Sequence, residues 1–157
     1  MSKGIVFPKL AGRNLKIGIV MARWNAHITE NLRSGCEVAL AGAGVSKKNV
    51  ISVEAPGSFE LPLVAQHLIK TKKVDAVVVI GCLIKGETMH FEYLSDAVFN
   101  GLMRVGLDTG KPVIAGVLTC LNEKQAVSRS VGDNNHGYGW GLTAVEMALL
   151  VKKKNSR

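Results

Sequence analysis

Residues 74–81 read VDAVVVIG, and the fold follows from them. The run is β-branched and apolar at almost every position. A strand with one face in water alternates apolar and polar residues, and this one does not. It is therefore read as a strand buried on both faces, the pattern of a parallel sheet with helices on each side.

The same alternation of elements extends outward from this strand. Upstream, Leu61, Val64, Ala65 and Leu68 fall on one side of a helix that Ser58 can cap after the Pro56–Gly57 turn. Before that turn, residues 49–54 read as a strand. Still earlier, Ile28, Leu32, Cys36, Ala39 and Leu40 mark a helix over 28–40 that Gly42 and Gly44 break. Residues 15–21, LKIGIVM, form the first strand. Downstream, Phe91, Leu94, Val98, Leu102 and Val105 share one helical stripe that Gly110 and Pro112 end. Residues 113–118, VIAGVL, make a fourth strand. Asn122 and Gln125 form a capping box before a short helix over 123–130. A loop rich in Gly, Asn and Asp, residues 132–141, then leads to a last helix bearing Leu142, Val145 and Leu149.

Strands alternating with helices predict an α/β fold with a parallel sheet covered on both faces. No internal repeat, low-complexity segment or linker interrupts it. Residues 1–14 are read as an arm that docks on a neighbour or frays, 15–151 as one domain, and 152–157 as a basic tail.

A chain of 157 residues makes about one domain. With 47% hydrophobic residues and a mean hydropathy of +0.19 it can bury a core, which excludes a disordered protein. No apolar run reaches the roughly 18 residues of a membrane span, so no membrane role is expected. The first residues lack a secretory pattern. Cys36, Cys82 and Cys120 are widely spaced and match neither a disulfide framework nor a zinc pattern. A cytoplasmic protein without a metal is expected. The net charge of +8 raises nucleic-acid binding as a class, but Lys152, Lys153, Lys154 and Arg157 supply half the excess at the end of the chain. Aromatic residues, 5% of the total, are not interleaved with basic ones. The charge is thus read as a solvated tail, with no nucleic-acid partner.

In open α/β sheets, ligands bind outside the carboxyl ends of the strands. That rule selects residues 22–27, 55–60, 81–90 and 119–123. Trp24 offers a flat surface for a planar ligand with the Asn25 amide beside it, and core packing explains the tryptophan equally well. His27 is read as a surface residue at a helix start. Glu60 in a first helical turn complements the positive helix end, and the N–H groups of 58–60 suit a polyhydroxyl ligand or an anion. In GCLIKGETMHFEY, residues 81–93, Gly86 permits close backbone approach and Thr88 stands at a helix start, together making a phosphate site. Lys85 adds charge there or points to solvent. His90 can move protons near neutral pH or make an ordinary helix-end hydrogen bond. Neither a dinucleotide fingerprint nor a P-loop is present. Arg129 can grip a phosphate in bidentate fashion or sit at the surface. His67 and Cys82 are read as structural.

Taken together, ARWN at 22–25, PGSFELP at 56–62, IGCLIKGETMHFEY at 80–93, GVLT at 116–119, EKQAVSR at 123–129 and NNHGYGWGLTAVEMA at 134–148 resemble the 6,7-dimethyl-8-ribityllumazine synthase family. The resemblance runs from about residue 15 to residue 150. It implies a flavodoxin-like three-layer α/β/α sandwich with a four-stranded parallel sheet. It also implies condensation of 5-amino-6-(D-ribitylamino)uracil with 3,4-dihydroxy-2-butanone 4-phosphate, the penultimate step of riboflavin biosynthesis, with no cofactor. By the same resemblance, Trp24 stacks on the pyrimidine, and Ser58, Phe59 and Glu60 hold the ribityl chain. Cys82, Leu83 and Ile84 offer backbone contacts to the ring. Gly86, Glu87 and Thr88 form the phosphate loop, His90 transfers protons, and a neighbouring subunit's Arg129 binds phosphate. Ala115 occupies a neighbour-subunit position where a bulky apolar residue is common, and His136 stands where many members have lysine. Both belong to the substrate site.

The implied assembly is a homo-oligomer, a pentamer with sites between subunits. Shell-forming members tend to carry a G-x-K-x-G-N-K-G turn, whereas residues 130–141 here read SVGDNNHGYGWG, so a free pentamer is expected. Riboflavin and riboflavin synthase are further candidate partners. The competing readings are a noncatalytic flavin- or lumazine-binding protein on the same fold, a flavodoxin-like electron carrier and a basic nucleic-acid module.

Overall fold

The computed structural model describes residues 4–154. Four strands, β1 (Ile17–Ala22), β2 (Val50–Ala55), β3 (Ala76–Ile84) and β4 (Val113–Cys120), pair in parallel in the order β2-β1-β3-β4. Five helices connect and follow them: α1 (Ala26–Gly42), α2 (Leu61–Lys72), α3 (His90–Thr109), α4 (Glu123–Ser128) and α5 (His136–Lys154). Short 3-10 turns at Lys47–Asn49 and Gly132–Asn134 complete the path.

The strand β3 explains its own composition. Ala76, Val78, Ile80 and Cys82 point into a core shared with Ile28, Leu32 and Leu40 of α1 and Ala144, Val145 and Ala148 of α5. Val77 and Val79 point the other way, against Leu61, Ala65 and Leu68 of α2 and Val98, Leu102 and Val105 of α3. Side chains alternate between faces along a strand, so a strand covered on both sides must be apolar throughout. The result is the flavodoxin-like three-layer α/β/α sandwich. The connection from β1 turns outward to β2 over one face, and that from β3 turns outward to β4 over the other. A crevice therefore opens between the carboxyl ends of β1 and β3, the switch point where such sheets bind ligands.

Several boundaries differ from the sequence reading. The third strand continues through Cys82, Leu83 and Ile84, which pair with Leu118, Thr119 and Cys120 of β4 rather than forming loop. Helix α2 is not capped by the Ser58 side chain: Glu60 holds the cap position, and the Leu61 N–H donates to the Ser58 carbonyl at 3.2 Å. The capping box of α4 holds in a shifted form. The Gln125 N–H donates to Asn122 Oδ1 at 3.0 Å, while Gln125 Oε1 accepts from the Leu121 N–H at 2.9 Å.

The largest difference is at α5. The glycine-rich segment expected to be loop up to 141 is helical from His136 onward. A Cβ on Gly137 would collide with the Leu32 carbonyl, and one on Gly141 would lie 2.8 Å from the Cys36 carbonyl. These glycines, one turn apart, let α5 lie directly on the α1 backbone, and that packing outweighs their helix cost of about 1 kcal/mol each. Gly116 of β4 likewise makes room for Trp140, whose Cε3 would be 2.6 Å from a Cβ there. At the other end, α5 carries Lys152 and Lys153 in its last turn, so the expected basic tail begins as helix, and residues 155–157 lie outside the described residues. No helix among the described residues is long and apolar enough to cross a membrane.

Candidate active site

At the carboxyl end of β1, the Arg23 N–H donates to the Ala55 carbonyl at 3.0 Å, tying the β1 loop to the end of β2. Trp24 follows and is 73% exposed, which removes core packing as its explanation. Asn25 adopts the left-handed conformation, φ 57°, a region asparagine tolerates better than most residues. That twist sends its Nδ2 across the crevice to donate to the Cys82 carbonyl at 3.0 Å. The Asn25 amide, expected to face a ligand, therefore braces β1 against β3.

The loop after β2 meets the same place. A Cβ on Gly57 would lie 3.1 Å from Glu60 Oε2 and 3.3 Å from Trp24 Cδ1, so glycine lets the indole and the carboxylate flank one point. Phe59 is 66% exposed beside them. Ser58 is 4% exposed, and its Oγ, close to Gly81 of β3, has no hydrogen-bond partner. A buried hydroxyl without a partner costs free energy, and a ligand hydroxyl can satisfy it.

The loop after β3 supplies the remaining groups. Lys85 through His90 are exposed. A Cβ at Gly86 would meet no atom within 4 Å, so the space it leaves is open. His90 is the first residue of α3, whose start has no side-chain cap; the Thr88 Oγ1 only accepts a long hydrogen bond from the His90 N–H, at 3.4 Å. Open N–H groups at the positive end of a 20-residue helix suit an anion. The exposed Lys85 ammonium is paired with Glu92 in the first turn of α3. That hydrogen bond holds the Glu92 carboxyl below the usual carboxylate range.

Arg129, His136 and Ala115 make none of the contacts above, and the Arg129 charge acts on Cys120 at the carboxyl end of β4. Arg129 caps the end of α4, and its Nη1 donates to the Gln125 carbonyl at 2.8 Å. The His136 N–H donates to the Arg129 carbonyl at 2.9 Å, and the imidazole meets Trp140 edge-on with centroids 6.1 Å apart. Burial and then the nearby Arg129 charge lower the pKa of His136. Ala115 pairs with Val79 in the middle of the edge strand β4 and lines an apolar groove with Phe99, Met103 and Met147. His27 is bonded to Glu123 of α4 at 3.0 Å. Burial pushes the Cys82 thiol up to about 12, so it is no nucleophile at neutral pH. Among the described residues no cluster of His, Cys, Asp or Glu can hold a metal ion.

Residues 14–152 match the family model of 6,7-dimethyl-8-ribityllumazine synthase. The chain belongs to this family. A protein of that name from Schizosaccharomyces pombe is 50% identical, over 95% of this chain and 98% of its own. Proteins of the same name from Pyricularia oryzae and Thermococcus kodakarensis are 42% and 39% identical, over 88% and 98% of this chain and 88% and 97% of their own. Two features of this mouth escaped the sequence reading. The Asn25 brace leaves no local trace, because its partner is 57 residues away. The Lys85–Glu92 pair did leave one: opposite charges flank the loop they close.

Proposed function

We propose that this protein condenses 5-amino-6-(D-ribitylamino)uracil with 3,4-dihydroxy-2-butanone 4-phosphate to 6,7-dimethyl-8-ribityllumazine. One observation carries this reading: the ARWN, PGSFE and KGETMH segments, far apart in sequence, converge on the carboxyl ends of β1, β2 and β3 in a chain of this family.

The pyrimidine ring stacks on exposed Trp24, its edge toward the backbone of Cys82, Leu83 and Ile84. The ribityl hydroxyls reach the start of α2, where Ser58 Oγ lacks a partner and Glu60 and Phe59 flank the entry. The phosphate lies over Gly86, Glu87 and Thr88 at the open N-terminus of α3. The C5 amine attacks the ketone and water leaves, forming the imine. Removal of a proton from the adjacent carbon expels phosphate from the chain end and leaves a new carbonyl. The ribitylamino nitrogen then closes the ring with loss of a second water. Each step moves protons, and His90 is the imidazole positioned to carry them. Holding two reactants together supplies much of the remaining acceleration.

Arg129, His136 and Ala115 complete the site from a neighbouring subunit. The assembly is a cytoplasmic pentamer. Its support is the exposed apolar face of α3, with Met103 and Leu107, and the exposed Ile5 and Val6 of the arm, surfaces that a neighbour can cover. Riboflavin, a planar relative of the product, is a second ligand for Trp24, and riboflavin synthase is the candidate protein partner. Incubating the purified protein with both substrates tests the function. Appearance of lumazine absorbance is expected, and its absence would leave only the noncatalytic binding reading. Sedimentation at physiological salt is expected to give five-subunit mass, and a sixty-subunit species would refute the free pentamer.

A further inference from the structure

The loop that delivers His90 is fastened at two points and hardly held between them. Lys85 is the first residue after β3, and its N–H donates to the Cys120 carbonyl at 2.9 Å, extending the β3–β4 ladder by one residue. Its ammonium then spans seven residues to Glu92 Oε1 in the first turn of α3. Between the two lie residues 86–91, of which Gly86, Glu87, Thr88, Met89 and His90 are exposed. Among the described residues, the 3.4 Å contact from the His90 N–H to Thr88 Oγ1 is the only side-chain hydrogen bond on those five. Met89, at the cap position of α3, adds no side-chain bond, and its carbonyl accepts from the Tyr93 N–H at 3.3 Å. The other Glu92 oxygen, Oε2, is buried without a partner, so Lys85 is the group that holds this carboxylate in place.

We infer that Lys85 and Glu92 are positioning residues that hold the 86–90 loop and His90 in working geometry, and that the Lys85 charge is spent on Glu92 rather than on the substrate phosphate. The inference rests on the proposed condensation and deepens it. The loop presents backbone N–H groups and the Thr88 hydroxyl to the phosphate, while the cation comes from Arg129. Opening the pair by removing either charge has the same consequence, because the loop loses its clasp either way. Were Lys85 the phosphate cation, the two single substitutions would act in opposite directions, since loss of Glu92 would release the ammonium for the ligand.

The test is steady-state kinetics on Lys85→Gln, Glu92→Gln and the charge-exchanged double variant Lys85→Glu/Glu92→Lys, with Lys85→Arg as the conservative rescue. Both single variants are expected to lose roughly two- to fivefold in kcat, a range set by exposed ion pairs, and to raise KM for the butanone phosphate, while KM for the pyrimidine stays within about twofold. The exchanged double variant and Lys85→Arg are expected to recover most of the lost kcat. A tighter KM for the butanone phosphate in Glu92→Gln, unchanged kinetics in either single variant, or no recovery in the exchanged pair would overturn the inference. Amide hydrogen exchange separates this failure from failure of the proposed reaction. Without substrate, the Lys85 and Tyr93 N–H groups, which donate to the Cys120 and Met89 carbonyls, are expected to exchange faster in Glu92→Gln than in the parent, even if the parent makes no lumazine. Equal exchange would overturn the clasp on its own.

Discussion

The two ends of the sheet differ in chemistry although the same strands and helices build both. The carboxyl end presents Trp24, Phe59, Thr88 and His90, with Lys85 already paired to Glu92. The amino end presents Lys47, Lys48, Lys70, Lys72, Lys73, Lys111, Lys152 and Lys153, against Asp75 and Asp108. Asp75 is engaged: Lys152 pairs with its Oδ1 at 3.2 Å, and the Lys16 N–H donates to its Oδ2 at 2.8 Å. In a parallel α/β sandwich the helix C-termini gather at the amino end of the strands, and their partial negative charge favours lysine there. The helix N-termini gather at the other end and favour anions. These residues of the amino end carry a surplus of +6, most of the chain's +8, opposite the site, where it complements helix ends. Strand direction partitions both charge and chemistry.

Five experiments bear on this contrast, beginning with the largest effect. His90→Ala is expected to lower kcat by roughly tenfold to a thousandfold with substrate binding nearly kept, in line with general acid–base contributions. Unchanged turnover at saturating substrates would remove the reactive centre from the carboxyl end. Arg129→Ala is expected to act mainly on KM for the butanone phosphate, since charge-assisted hydrogen bonds contribute about 1.5–3 kcal/mol. Equal weakening for both substrates would mean general damage instead.

Trp24→Ala is expected to weaken riboflavin binding, read from flavin fluorescence, by about the 0.5–1.5 kcal/mol that aromatic pairing adds beyond area burial. Equal affinity in parent and variant would end the stacking assignment. The acid limb of stability sharpens the comparison further. The Glu92 pKa lies below its ordinary 4.5, so its contribution is fully present above 4.5 and is lost as pH falls through the lowered value. Thermal melts between pH 5 and 3 are expected to fall less steeply in Glu92→Gln than in the parent. An identical slope would show that the pair has no linkage to stability. The smallest effect belongs to the amino end. Lys70→Gln/Lys72→Gln/Lys73→Gln is expected to leave kcat and both KM values within about twofold and to change stability by under about 1 kcal/mol per lysine at the end of α2. A large change in KM for the phosphate substrate would break the division between the two ends.

Much of the architecture was legible because it rests on burial, which local composition records. VDAVVVIG announces a strand with two covered faces, and the apolar stripes of α2 and α3 announce what covers one of them. The loops were largely legible too, since strand direction sends residues 22–27, 55–60 and 85–90 to one end, although β3 runs on through Ile84 where loop was expected. Residues 132–141 failed for a physical reason: glycine and asparagine weaken a helix locally, and only the α1 backbone against Gly137 and Gly141 reverses that preference. Ser58 failed similarly, because a residue suited to capping is instead buried against Gly81 without a partner.

The sequence by itself determined the layers, the strand direction and the residue types available at the mouth, since periodicity and turn chemistry are properties of neighbours along the chain. Tertiary structure alone decided how those residues are used. It turned the Asn25 amide onto Cys82, clasped Lys85 with Glu92, and bonded the Arg129 guanidinium to the Gln125 carbonyl. These outcomes depend on distances between elements, and those distances exist only once the helices have packed on both faces of the sheet.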